Sequence, residues 1–596
     1  MPFNTLTVAC STAPTVITTF FNHFCACSPT TSKPNADDEN FELSYEEGVA
    51  LIRRFLTHAS HHTVEELQAF TAMYVPAPTW VRTENIVIPS EFMIESGEMV
   101  KRALGDTAMG QGEAAEWWKW REKDLRAEWI WVREKWWGDE DAEREKDKKV
   151  MLYIHGGAYY FGSVDEHRYQ LQRHARKLGC RVFAPRYRLA PQFPFPCAIY
   201  DVLACYLYLL SSYTPENIII AGDSAGAGMA LSILCMLRDQ QRPMPAGAVL
   251  ISPWVDLCHS FPSVMDDNSR DYIPAHGFQH RPSEAWPPPR PREQTKDSYD
   301  VATPGEVAAG DLEESIPLNP VNAQYQRIEI DGKVVQIQDQ IQMYTTNDLL
   351  THPLVSPVNQ RTLGGLCPLL VLTGGGEVLR DEQIYIAHKA AFPSAFSKPG
   401  QEDTDTHPPA TKVWLQVFAN ACHVLPTLAW TKPAKMVGDT IASFAATVWS
   451  DPGGLAPFRY ELMSLSHPVE LKSPLTPAAF PPPERIGVIT PEPVKRWMEA
   501  KKKWDTKYAT KRPIKDEEEY EEEEENMAGV PPSAAYRRRK KDKRTGSSEG
   551  HTGKERGWGM SMWAGWSAKS DTKVVRRQEA EAARGPAMEA LVERQE

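Results

Sequence analysis

The sequence predicts an α/β fold built on a mostly parallel sheet, and three observations carry that reading. Eight strand-like runs lie between Arg82 and Phe418. The later runs alternate with helix-like stretches, and strand, helix, strand repetition places neighbouring strands parallel with helices on both faces. The inner runs also lack polar alternation, as strands buried on both faces do.

In chain order the runs are "RTENIVIP" from Arg82, "AEWIWV" from Ala127, "KVMLYI" from Lys149, "RVFAP" from Arg181, "NIIIA" from Asn217, "GAVLIS" from Gly247, "PLLVLTG" from Pro368 and "KVWLQVF" from Lys412. The first two have no obvious crossover helix between them. Helical patterns follow at Tyr169 to Leu178, Ala198 to Ser211 and Ala225 to Leu237, and Tyr45 to Tyr74 is amphipathic. The tract from Ala275 to about Tyr344 is Pro-rich and charged, too long for a connecting loop, and is read as a partly disordered surface insertion at 275–344.

Composition bounds the partners. A net charge of −13 argues against nucleic acid as the main ligand. Ten cysteines show no C-x-x-C pair and no metal-type Cys/His spacing, and there is no N-x-Ser/Thr sequon. Both lean toward a reducing, intracellular and cytoplasmic setting, with free Cys205 and Cys235 acting as small hydrophobes in helical stretches. Met1 to Cys27 is mildly apolar but has no basic n-region, so it reads as neither signal peptide nor membrane span, and attachment to a membrane surface stays open.

Residues 1–40 are expected to be disordered, and so is most of 451–596, where "DEEEYEEEEE" from Asp516 is followed by "RRRKKDKR" from Arg537. "GWGMSMWAGW" from Gly557 is open to two readings, a membrane or partner contact and a low-complexity remnant. So is the run from Glu113 to Trp137 with its seven tryptophans: a substrate channel, or simple core packing of Trp129 and Trp131 along a strand.

Chemistry enters at Gly222-Asp223-Ser224-Ala225-Gly226, at the end of the strand-like run that holds the three isoleucines. A strand turning sharply into a helix holds the serine at the carboxyl edge of the sheet, beside unpaired helix N–H groups, and small neighbours allow the close approach. Upstream, His155-Gly156-Gly157-Ala158 follows another strand. Glycines there let consecutive N–H groups point one way, toward a developing oxyanion.

These residues, with "HGGAYYFGS" from His155, "APRYRLAPQFPFPCAIYD" from Ala184, "SPWVDL" from Ser252, "HPLVSP" from His352, "EVLRDE" from Glu377 and "CHVLP" from Cys422, resemble the hormone-sensitive-lipase-like branch of the α/β-hydrolases. That branch includes carboxylesterases, arylacetamide deacetylases and fungal steryl acetate deacetylases. The resemblance spans roughly Lys149 to Trp449. It implies a helical cap over an eight-stranded sheet, so residues 41–126 read as cap plus first strand and 127–450 as the hydrolase domain.

Residue by residue, it implies Ser224 as nucleophile, His423 as base, and N–H donors at Gly157, Ala158 and Ala225. His155 and Gly156 would shape the donor loop, and Asp223 would anchor the elbow. Ala158 stands where the family carries a third glycine, which puts that loop's backbone in question. The triad acid is Glu377, with Asp381 as the alternative: the family has an aspartate at the first position, and glutamate reaches roughly 1.5 Å further. The tract 275–344 lies wholly between Ser224 and Glu377, which accounts for their long separation. The implied reaction is hydrolysis of a small apolar ester through an acyl-enzyme, with no metal or cofactor. An amidase or deacetylase with the same triad, and a non-catalytic ligand-binding relative, are the alternatives; His423 speaks against the latter.

Overall fold

The computed structural model describes Val8 and residues 44–105, 118–119, 121, 123–133, 148–275, 277–287, 326–330, 332–337, 339–396, 408–464 and 469–509. The expectation for 1–40 therefore lies outside the described residues, Val8 aside, as do the acidic and basic runs and the aromatic stretch from Gly557.

Two helices open the described chain, α1 (Tyr45–Ala59) and α2 (Val64–Thr71). Each begins on a capping box: the Ser44 and Thr63 hydroxyls accept from the N–H groups of Glu47 and Glu66, whose carboxylates reach back to the cap N–H. The second box, "TVEE", splits the amphipathic stretch that the sequence presents as continuous. Strand β1 (Val81–Val87) and helix α3 (Ser90–Leu104) follow, then β2 (Arg126–Val132), β3 (Val150–Ile154), α4 (Val164–Leu178), β4 (Arg181–Pro185), α5 (Cys197–Leu210), β5 (Ile218–Asp223), α6 (Ala225–Asp239) and β6 (Gly247–Ile251). The chain continues through a hairpin, β7 (Gln326–Ile330) and β8 (Lys333–Ile337), to β9 (Leu369–Gly374), α7 (Arg380–Ala391), β10 (Val413–Phe418), α8 (Lys432–Ser450), β11 (Phe458–Met463), β12 (Glu470–Leu471) and α9 (Pro491–Tyr508).

The main sheet has the order β1-β2-β4-β3-β5-β6-β9-β10-β11-β12. All pairs from β4 to β11 are parallel, while β1–β2, β2–β4 and β11–β12 are antiparallel. The isoleucine run of β5 serves both faces. Ile218 and Ile220 pack with Leu203 of α5 and Leu231 of α6, whereas Ile219 packs with Leu171 of α4 and Ile441 of α8. At roughly 1.5–3 kcal/mol for each fully buried side chain, such strands hold the sheet's centre rigid beneath the site.

The eight expected strands are all present, and the sheet extends to ten. The extension corrects the expectation of disorder from 451 onward, as far as residue 509. Phe458, Tyr460 and Leu462 alternate with Arg459, Glu461 and Met463, and the buried Glu461 carboxylate accepts from Trp414 Nε1 at 2.8 Å and Gln416 Nε2 at 2.7 Å. The tail's overall charge concealed this alternation. Within the 275–344 insertion the described residues include the hairpin β7–β8. Its Asp-Gly dipeptide is a hairpin signal in the sequence, Gly332 sits at φ +74° beside β8, and the segment closes on the core at Tyr344, whose carbonyl accepts from Phe195 N at 2.7 Å. Among the described residues no helix is long and apolar enough to cross a membrane. The described cysteines, Cys205 and Cys235 included, are free and buried.

Candidate active site

At the carboxyl end of β5 the chain reverses into α6 through Ser224, whose φ of +52° and ψ of −120° lie outside the ordinary regions for a side-chain-bearing residue. Two glycines permit this. A Cβ on Gly222 would come within 2.6 Å of the Gly226 carbonyl carbon, and one on Gly226 within 2.1 Å of the Ile154 carbonyl oxygen. Backbone bonds then fix the turn: Ser224 N donates to Ile251 O at 2.9 Å, and Ser224 O accepts from Gly228 N and Trp254 N.

His423, in the loop after β10, places Nε2 2.8 Å from Ser224 Oγ. Its Nδ1 lies 2.5 Å from Glu377 Oε2. The Glu377 carboxylate is fully buried and accepts from Ser252 Oγ (2.8 Å), Gly374 N (2.7 Å) and Gln383 Nε2 (3.0 Å). Asp381 lies apart, accepting from Ser263 N at 3.0 Å and pairing with Arg380. Burial pushes the His423 pKa down, but Glu377, Asp271 and Asp223 around it push harder, and the net shift is upward from 6.5.

The loop after β3 carries the N–H groups that the sequence marks as oxyanion donors. Gly157 takes φ +110°, and Ala158 and Tyr159 take +49° and +66°. Ala158 thus occupies the left-handed region that a glycine enters freely, which leaves strain in the backbone. Among the described residues no acceptor takes the N–H groups of Gly157, Ala158 or Ala225. Gly156 N donates instead to Asp223 Oδ1 (3.1 Å), which also accepts from Tyr153 OH (2.8 Å). His155 stacks on Tyr187 with its Nδ1 2.7 Å from its neighbour's carbonyl, and burial drives its pKa down to about 3, so it is a neutral brace for the loop.

Several residues at the site carried no sequence assignment of their own. Ser252 sits in the quoted "SPWVDL", where it joins Glu377 to the Val424 N–H (3.0 Å). His167, just past the "HGGAYYFGS" stretch, pairs with Asp223 at 3.7 Å. Burial opposes its charge, but the carboxylate outweighs this and lifts it to about 9. Asp271 lies in the segment after β6, which together with α1 forms the cap over Ser224, and it bonds to the His423 backbone at 3.1 Å.

Ser224 opens onto a cavity of about 350 Å³. Its walls are apolar: Leu51 and Phe55 from α1, Phe70 from α2, Trp254 and Tyr272 from the segments after β6, Met343 and Tyr344 from the end of the insertion, and Val494 and Trp497 from α9. Of the seven tryptophans between Glu113 and Trp137, three are described and none of these lines this cavity. Trp118 packs edge-on to Tyr200, Trp129 packs on Phe183, and Trp131 lies beneath Arg82 and Arg181. Core packing is the observed role of Trp118 and Trp129, whereas Trp131 is half-buried under the two arginines.

The chain matches known proteins over this same region. A family model described as the alpha/beta hydrolase fold covers residues 151–281 and 318–393. An acetyl-hydrolase of Streptomyces hygroscopicus is 32% identical over 257 residues, 42% of this chain and 66% of that protein. An esterase of Acinetobacter venetianus is 34% identical over 137 residues, 23% of this chain and 45% of the relative. The chain thus spans just under two thirds of the first relative and less than half of the second. Among solved structures, an esterase from the bacterial hormone-sensitive lipase (HSL) family aligns with a TM-score of 0.41 and 22% identity over 73% of this chain and 98% of that one.

Proposed function

The chain belongs to the α/β-hydrolase family, and from that premise we propose that it is a serine esterase acting on small apolar esters. The supporting observation is the continuous line from Ser224 Oγ through the His423 ring to Glu377 Oε2, at 2.8 and 2.5 Å. A serine hydroxyl is a weak nucleophile until a base takes its proton, and a base paired to a buried carboxylate is held in the tautomer that can do so.

In this reading Ser224 attacks the ester carbonyl as His423 takes its proton, and Glu377 stabilises the imidazolium. The N–H groups of Gly157, Ala158 and Ala225 meet the oxyanion; a donor of this kind is worth about 10²–10³ in turnover. His423 then protonates the leaving alcohol, and water releases the acyl group by the same route. This chain's residues supply every step without a metal or cofactor.

The apolar cavity favours an apolar alcohol part, and the names of the relatives point to short acyl groups such as acetyl. Hydrolysis of p-nitrophenyl acetate, butyrate and decanoate by wild type and Ser224→Ala tests the reading. A loss of about 10⁶ in turnover is expected. Equal rates in the two proteins would rule it out.

A further inference from the structure

Two backbone N–H groups of the histidine loop are held by side chains from α1 and from the segment after β6. Cys422 N donates to Tyr45 Oη of α1 at 2.5 Å, and His423 N donates to Asp271 Oδ1 at 3.1 Å. The other oxygen of Asp271 accepts from Val378 N at 3.0 Å, next to Glu377. One fully buried carboxylate therefore bridges the loops that carry the base and the acid.

Asp271 belongs to neither loop. It lies in the segment after β6, and that segment is strapped to α1 by Arg53, whose guanidinium donates to the carbonyls of Asn268 (2.8 Å), Ser269 (2.9 Å) and Asp271 (3.0 Å). Tyr272 beside it lines the cavity and meets the His423 ring edge-on at 6.0 Å. Cap seating and triad geometry thus share one set of bonds.

Building on the esterase reading, we infer that Asp271 is a positioning residue, making the placement of His423 and Glu377 depend on a seated cap. Burial favours its neutral form, but its carboxyl meets three backbone N–H donors, the third from Tyr272 at 2.8 Å, and this arrangement suits a carboxylate. The groups facing the imidazole are then Glu377 from the acid loop, Asp223 from the elbow and Asp271 from the cap, with Tyr272 and Cys422 neutral beside them. All three carboxylates favour the imidazolium, so the amide of Asp271→Asn should ease deprotonation of His423.

The test compares wild type, Asp271→Asn, Asp271→Ala and Arg53→Met on p-nitrophenyl butyrate across pH, with thermal melts of each. Asp271→Asn should lower kcat by about 10- to 100-fold at little change in KM, as a small misplacement of catalytic groups does. It should also move the acid limb of kcat/KM down by about 1 unit. Arg53→Met, which keeps the charge at 271, should lower kcat in the same direction and leave the limb in place. A wild-type kcat and limb in Asp271→Asn would overturn the proposal, as would a loss of kcat that merely follows the fraction unfolded. The low-field proton NMR signal of the His423 Nδ1–H gives a readout that needs no hydrolysis. If wild type proves inactive, the esterase reading fails; an unchanged pH titration of that signal in Asp271→Asn would independently overturn the role of Asp271, and a shifted one would support it.

Discussion

Glu377 stands in the turn before α7 and Asp381 in that helix's first turn, yet only Glu377 reaches the imidazole of His423, at 2.5 Å, while Asp381 accepts from Ser263 N at 3.0 Å and pairs with Arg380. The two carboxylates should therefore separate cleanly by mutation. Glu377→Gln keeps the shape but removes the charge that stabilises the imidazolium, and should lower kcat on p-nitrophenyl butyrate by about 10³–10⁴. Asp381→Asn should stay within about tenfold. The reverse order would reassign the acid.

The pH dependence follows from the upward shift of His423. A base must be neutral, and a raised pKa keeps the ring protonated to higher pH, so the acid limb of kcat/KM should fall above 6.5. Replacing Glu377 by glutamine removes the strongest upward push and should bring the limb down. A wild-type limb below 6.5 would mean that burial outweighs the carboxylates.

His167 gives a prediction for stability alone. Its pKa near 9 in the folded chain, set by Asp223 against the cost of burial, exceeds the unfolded value near 6.5. The pair's contribution is therefore complete below about 6.5 and is lost as pH rises through about 9. Melting wild type and His167→Gln side by side should show a gap that narrows across that window. A constant gap would mean that packing, not charge, is what the imidazole supplies.

The sequence exposed what local chemistry and period set. Ser224 and His423 lay in motifs, and the central strands had uniform apolar runs because both faces are buried. Long-range partners were harder to see. Asp271 bonds His423 from 152 residues away, and nothing in "NSRDYIP" announces a backbone acceptor for two loops. The last helix was legible in hindsight, since Val494, Trp497, Trp504 and Tyr508 recur at helical spacing behind Thr490-Pro491. Its lysines and the charged run beyond it masked that period.

Ala158 is held at φ +49°, in a region that costs an L-residue of order 1–3 kcal/mol. Glycine removes that strain and returns part of the gain through a more flexible unfolded chain, about 0.5–1 kcal/mol. Ala158→Gly should thus raise the urea midpoint, by about 1 kcal/mol in stability, and keep kcat within about threefold. Ala158→Val adds a branched carbon where the backbone already bends unfavourably, and should lose both activity and stability. A destabilised glycine variant would show that the methyl group's own packing outweighs the strain.

Trp497 brings the end of the described chain to the same cavity as Ser224. Its helix α9 is pinned on both sides of that wall. Arg496 donates to the carbonyls of Val264 (3.0 Å) and Met265 (3.2 Å), while farther along Trp504 Nε1 donates to Ser60 O at 3.1 Å and its ring stacks on His61 at 5.5 Å. A wall fixed in this way cannot easily close on a void, so truncating the indole should leave space that ligand methylenes can occupy. Trp497→Ala should then raise kcat/KM for p-nitrophenyl decanoate relative to acetate by about tenfold, at about 0.8 kcal/mol for each methylene newly buried. Hydrolysis of acetate should change little, since its acyl group is too short to need that wall. The decisive measurement is the decanoate-to-acetate ratio across the chain-length series. A ratio equal to that of wild type would mean that α9 only covers the cavity, and that α1 and Phe70 set its length.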